Sequence, residues 1–298
     1  MIKDFQPGTT ITATLLVKSS EIKMTKNGKP YLFVVFTDGH DEITGNKWDY
    51  AAAVSPPANE ILDVSAAVTT WNGSKQLTIT RLVVNTEMNV SDFAPQGPND
   101  PSELWLHAMR LADHIQEPNL KELVLSTYEQ HHEQLLIAPA AKGVHHAYIG
   151  GLLEHSVSMA ELSIPMAKHT GADVGLCVAG CLLHDIGKLG AYQLNGAVIE
   201  MTDAGKLLDH MMIGCTMLDP ENPGTPFIQH IILSHHGQPE WGSAVKPKML
   251  EAWIVHYCDM LDSRAAMIHG AEMEDTIWTK KTYYLDSHVR LPAADANE

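Results

Sequence analysis

Seven side chains in the C-terminal two thirds of this 298-residue sequence are metal-binding types at spacings that could converge: His155, His184, Asp185, His210, His235, His236 and Asp259. The pair His184-Asp185, inside LLHDIGK, offers an imidazole nitrogen and a carboxylate side by side, and together the seven could hold one or two divalent ions. Ions held this way suit phosphoester hydrolysis. Asp185 would be the bridging carboxylate, His235 is expected to ligate, and His236 either ligates or contacts a substrate phosphate. Lys188 follows Asp185 by three residues, roughly on one helix face, where its ammonium could meet a phosphate oxygen. Asp185, His236 and Lys188 are therefore the catalytic candidates. His145 and His146, in glycine-flanked KGVHHAYIGG, are candidates for substrate contact. His131, His132, His169, His230, His256 and His269 fit no such spacing and read as surface or hydrogen-bonded core positions.

Helices must position these groups. DVGLCVAGCLLHDIGK reads as a mostly buried helix capped by Asp173 that carries His184 and Asp185 at its last turn. His155, in GGLLEHS, belongs to a helix whose buried stripe is Leu152, Leu153 and Val157. Asp259 belongs to a third, with Leu250, Trp253, Ile254, Tyr257 and Leu261 expected around it. Three helices of a bundle could aim these groups at one point. Each would be costly to bury alone, and a shared cation satisfies them together. Further helices are read in SELWLHAMRLADHI, opening on a Ser102 cap, KLLDHMMIGCTML and PFIQHIILSHH.

The first third has a different pattern. Only His40 of the seventeen histidines precedes residue 100, and ITATLLV, YLFVVF, AAVTTW and QLTITRLVV alternate or form short β-branched runs between turns such as KNGKP and WNGSK. Residues 1–92 read as a small all-β domain, the proline-rich 93–101 as a linker, and 102–298 as a helical domain. The fold class is thus β followed by α.

A hydrophobic content of 45% is ample for packed cores. The N-terminus has no long apolar run and no stretch reads as the roughly 18 apolar residues of a membrane span, so the expectation is a cytoplasmic protein without a membrane partner. Cys177, Cys181, Cys215 and Cys258 lie in apolar helical segments with no CxxC pair, and read as small core residues. The net charge of -16 divides into -2 for residues 1–92 and -14 for the remainder. That argues against broad wrapping of duplex DNA, while a few stacked bases and a metal-held terminal phosphate remain compatible.

The ordered pattern His155, His184-Asp185, Asp259 resembles the HD-domain phosphohydrolase superfamily. The strings APAAKGVHHAYIGGLLEHSVSMA, LLHDIGK, HHGQPEWGS and PKMLEAWIVHYCDMLDSR are similar to the YhaM-type 3'-5' exoribonucleases. GKPYLFVVFTDGHDEITGNKWD and AAVTTWNGSKQLTITRL resemble that family's OB-fold nucleic-acid domain. The resemblance implies an N-terminal OB-fold β-barrel, an all-α HD-domain bundle, and metal-dependent 3'-5' hydrolysis of single-stranded RNA or DNA to nucleoside 5'-monophosphates.

An OB barrel can stack single-stranded bases on aromatic rings. Tyr31 and Phe33 alternate with Leu32, Val34 and Phe36, so one set faces outward. The expectation is Tyr31 and Phe33 outward with Trp48 and Trp71 nearby, and Lys26, Lys29, Lys47 and Lys75 beside them for phosphates. Mn2+ is the expected metal, although Fe, Ni, Co, Mg and Zn suit such ligands too. Two other readings stay open: a phosphohydrolase of small nucleotides whose barrel mediates homo-oligomer contact, and a non-catalytic single-strand binding protein.

Overall fold

The computed structural model describes residues 1–143, 146–196, 198–281 and 285–292, and His145 lies outside them. The chain divides into two units, Met1–Gln96 with Leu194–Glu200, and Gly97–Gln193 with Met201–Glu298.

The first unit is built on five strands: β1 (Thr10–Met24), β2 (Pro30–Thr37), β3 (Glu42–Lys47), β4 (Ile61–Trp71) and β5 (Ser74–Val84). They close into a barrel in the order β1-β2-β3-β5-β4, the five-stranded barrel of an OB-fold. Closure depends on the length of β1. Its first half pairs with β4, from Thr10↔Ala67 to Leu16↔Ile61, and its second half with β2, as far as Met24↔Pro30. A register shift between Val17 and Ser19 marks the bend between the halves. Alternate residues fill the interior, among them Leu15, Val17, Leu32, Val34, Phe36, Val64, Val68 and Leu77. Beyond the last strand, Phe93 packs against Leu16 and Ile61.

The second unit is helical, with α1 (Pro101–Ala112), α2 (Pro118–Gln130), α3 (His132–Ile137), α4 (Gly151–Thr170), α5 (Val174–Leu183), α6 (Lys188–Ala191), α7 (Asp203–Met217), α8 (Thr225–Ser234) and α9 (Leu250–His269). Between α6 and α7 the chain runs through a short pair, β6 (Tyr192–Asn195) and β7 (Val198–Met201), whose residues Leu194–Glu200 belong to the first unit. Helix α1 starts earlier than its sequence suggests. Asp100 is the cap, accepting from the Ser102 amide, because Pro101 fits the first helical position, where no amide is needed. Asp173 does cap α5, accepting from the Leu176 amide at 2.9 Å.

The core lies where α4, α5 and α9 meet, around Leu153, Val157, Val178, Leu182, Ile254 and Val255. Burying each such side chain contributes about 1.5 to 3 kcal/mol. Cys177, Cys181 and Cys258 are fully buried there as small apolar residues. The stretch Val174–Ala191 has a mean hydropathy of 1.4, enough by length and composition for a membrane span, contrary to the sequence reading; 72% of it is buried within the protein. On α9 the buried apolar residues are Ala252, Ile254, Val255 and Cys258, whereas Leu250, Tyr257 and Leu261, expected to surround Asp259, face solvent. Two apolar stripes run along this helix, and sequence periodicity follows the outer one as readily as the inner.

Candidate metal centre

Helix α5 ends at Leu183, and the chain continues through tight turns, with Ile186 N bonded to Leu183 O and Lys188 N to Asp185 O. The tightening lets the neighbours His184 and Asp185 face the same point. Gly187 completes the device, since a Cβ there would lie 1.9 Å from the His210 carbonyl oxygen and 2.4 Å from the Gly214 amide nitrogen. Its missing side chain lets α7 rest on the turn and brings His210 beside Asp185.

The expected ligands form two groups of atoms, each within 4.8 Å, His155, His184 and Asp259, and His210, His235 and His236; a third such group is His146, His155 and Asp262. Asp185 stands between the first two. Its Oδ2 is 3.2 Å from His184 Nε2 and 3.8 Å from His155 Nε2, and its Oδ1 is 3.3 Å from His210 Nε2 and 3.7 Å from His235 Nε2. Asp259 Oδ1 reaches His155 Nε2 at 3.4 Å. The structure thus brings together all seven expected ligands.

Tautomer choice is uniform. His155 donates from Nδ1 to Asp262 at 2.7 Å, His184 to the Cys181 carbonyl at 2.9 Å, His210 to Asp209 at 2.5 Å and His235 to the Ile232 carbonyl at 2.7 Å. In His184, His210 and His235 this leaves Nε2 carrying the lone pair toward Asp185, the arrangement typical of metal-bound imidazoles, and His155 turns Nε2 the same way, toward Asp185 and Asp259. His184 Nε2, His210 Nε2, Asp185 Oδ1 and His236 Nδ1 are buried and make no hydrogen bond among the described residues. Buried polar atoms left unmatched are costly, and a cation accepting these lone pairs would satisfy them at once. The donor set, imidazole nitrogens with two carboxylates, fits divalent transition metals.

Electrostatics agree with that fit. Burial works against the Asp185 carboxylate, but Lys188 and His184 outweigh it and hold its pKa well below the usual range. Burial, then His236, hold His235 neutral. Burial lowers the pKa of His155 too, yet Asp259 and Asp262 lift it to about 9, so cation binding there would displace a proton.

Other expected contacts fall differently. Lys188 directs its ammonium at Asp185 Oδ2, 2.5 Å away, so in this arrangement it is engaged by the centre itself. His146, expected at the substrate, has both ring nitrogens occupied: Nε2 at 3.0 Å from Asp262 and Nδ1 at 2.8 Å from the Tyr148 hydroxyl. It serves the carboxylate that orients His155.

Asp262 is the main residue the sequence reading missed. It is 7% exposed and accepts from His155, His146 and Ser158. Its signal was present, a second carboxylate one helical turn after Asp259 in YCDMLDSR. Asp209 was also missed. It holds His210 from a non-helical backbone (φ 63°, ψ 157°) that breaks α7, a conformation costly for any residue but glycine. His256 was set aside in the sequence, yet it is buried and donates to the His235 carbonyl at 2.7 Å.

On the barrel, Leu32, Val34 and Phe36 point inward, which leaves Tyr31 and Phe33 on the outer face. Tyr31 packs against the half-exposed Trp48, ring centroids 4.9 Å apart, and Lys23 lies over Phe33 at 4.2 Å. Trp71 is exposed but stands elsewhere. It pairs with Ser74, two residues before the Gln76 that pairs with Thr44, whereas Trp48 follows the far end of β3. The one-dimensional sequence hides this separation, which only the strand register sets. Three of the four expected lysines are engaged locally: Lys29 with Asp49, Lys47 with the Thr80 carbonyl and Lys75 with the Lys3 carbonyl.

Residues 152–264 match the family model described as HD domain, so the helical unit contains an HD domain. The chain is therefore a two-part protein, an OB-like closed barrel followed by a helical HD domain. Among solved structures it is similar to the second OB-fold domain of replication protein A from Methanococcus maripaludis, with 16% identity over 30% of this chain and 95% of that one and a TM-score of 0.25. It is also similar to the HD domain of the L. monocytogenes phosphodiesterase PgpH, with 19% identity over 51% of this chain and 76% of that one and a TM-score of 0.33.

Proposed function

We propose that this protein is a metal-dependent phosphohydrolase that degrades single-stranded RNA or DNA from the 3' end, releasing nucleoside 5'-monophosphates. The observation that carries this reading is the position of Asp185, one carboxylate oxygen toward each group of ligand atoms. His155, His184 and Asp259 would hold one ion and His210, His235 and His236 a second, with Asp185 shared between them; Mn2+ suits this donor set. Such ions supply a water acidified to near neutrality and a positive clamp on phosphate oxygens.

The chain's own groups do the rest. Asp262 and Asp209 fix which nitrogen His155 and His210 present. Lys188 balances the charge of Asp185 and is near enough to turn its ammonium toward an incoming phosphate. His236, with a buried and unbonded Nδ1, would either ligate or meet the leaving oxygen. Outside the barrel core, Tyr31, Phe33 and Trp48 offer rings to unpaired bases, and sequence-tolerant stacking is what a strand-degrading enzyme requires.

The test is a time course on 5'-labelled single-stranded RNA and its DNA counterpart with Mn2+ or with EDTA, for the wild type and Asp185→Ala. A ladder shortening from the 3' end that needs both metal and Asp185 is expected. The formal charge of -16 favours a second reading, a phosphohydrolase of small nucleotides. Intact polymer together with hydrolysis of mononucleotide substrates would select it.

A further inference from the structure

An aromatic cluster abuts the metal centre within the helical unit. At its middle is His256, 3% exposed, whose Nδ1 donates to the His235 carbonyl. Gly237 takes φ +82°, and a Cβ there would fall 2.5 Å from the His256 ring, so the backbone following the ligand histidines presses directly on this imidazole. Trp241 lies nearly parallel to His256, with centroids 6.0 Å apart and planes at 18°. Trp253 meets it edge-on at 5.9 Å, Tyr257 lies tilted against it at 5.1 Å, and Trp253 and Tyr257 stack on each other at 26°.

These rings are firmly supported and yet face solvent. Trp241 is 58% exposed and Tyr257 54%. Single exposed apolar residues are ordinary, whereas large rings held in a fixed orientation and grouped beside a catalytic cluster mark a binding surface. Lys246 and Lys248, on the segment joining Trp241 to α9, are exposed and make no ion pair among the described residues. Free cations are scarce in a part of the chain carrying -14. Flat rings with interleaved lysines suit a polyanion with aromatic bases better than a second copy of an acidic chain. The next residue, Gly242, backs onto the His236 ring, its Cβ position 3.2 Å from Nδ1. A base on Trp241 would therefore hold its phosphate close to the ligand groups.

We infer that Trp241, assisted by Tyr257, is a stacking platform for the base at the 3' end of the single-stranded substrate, with Lys246 and Lys248 meeting its backbone. The inference rests on the exonuclease reading, and its test separates the two. The full-length protein in EDTA is irradiated with RNA bearing a 3'-terminal 4-thiouridine, and crosslinked peptides are mapped. In parallel, KM is measured with Mn2+ for wild type, Trp241→Ala and Trp241→Phe, on RNA ending in a normal or an abasic nucleotide.

A crosslink at Trp241 or Tyr257 is expected, with KM raised about 10-fold by the alanine substitution on normal RNA and largely restored by phenylalanine. On abasic-ended RNA the same substitution should have no further effect. Equal losses on both RNAs would overturn the inference in favour of a prop for His235. An unchanged KM with an altered oligomeric state on light scattering would overturn it in favour of an interface between copies. Should the wild type hydrolyse neither RNA while the crosslink still maps to Trp241, the platform stands and the exonuclease reading falls.

Discussion

Asp262 accepts a hydrogen bond from His155 Nδ1 at 2.7 Å, and through that bond a residue outside the expected ligand set turns Nε2 of His155 to the candidate metal centre. Replacing it with asparagine removes the negative charge while keeping the shape. Asp262→Asn is expected to weaken metal affinity about 10- to 100-fold, measured by calorimetric titration of Mn2+. Wild-type affinity in that variant would reduce Asp262 to a packing residue.

Asp185 faces both ligand groups, whereas Asp259 faces one. Elemental analysis should accordingly find Asp185→Ala depleted of both ions and Asp259→Ala of one. Identical metal content in the two variants would contradict a shared carboxylate.

Gly187 has no room for a methyl group against the His210 carbonyl. Gly187→Ala should force α7 away, destabilising the protein by about 1 to 3 kcal/mol in thermal unfolding and lowering activity more than stability loss alone explains. A variant with unaltered melting temperature and turnover would show that α7 yields easily.

The barrel's outer aromatics make a prediction about substrate length. Tyr31→Ala and Trp48→Ala should each weaken binding of a long single strand about 10-fold, read by fluorescence anisotropy, and spare hydrolysis of very short ones. Trp71→Ala, at the other end of β3, should change neither. Sensitivity to Trp71 alone would move the binding path.

The two-part architecture was legible because its patterns differ in period, alternation in the strands and helical repeats after residue 100. The convergence of the seven expected side chains was legible because metal-binding residues inside apolar helices need a common reason to be there. What stayed hidden depends on three-dimensional neighbours. Asp262 looks like any helix-surface acid until His155 and His146 are seen to share it. The exposure of Tyr257 and Leu261 reflects a helix with apolar residues on two faces, between which hydropathy cannot choose. His256 had no ligand spacing because it acts on a backbone carbonyl.

The four imidazoles that turn Nε2 toward Asp185 fall into two matched pairs, each with one ring backed by a carboxylate and one by a peptide carbonyl. Those carboxylates are unequal: Asp262 is buried, while the Asp209 side chain is 60% exposed on a strained break in α7. Water competes for Asp209 and its backbone has somewhere easier to go, so the half of the centre built on His210 is the looser half. Chelator should strip the protein in two steps, the His210 side emptying first. A preparation purified without added metal would then be half-loaded and inactive, and recover on addition of the missing ion.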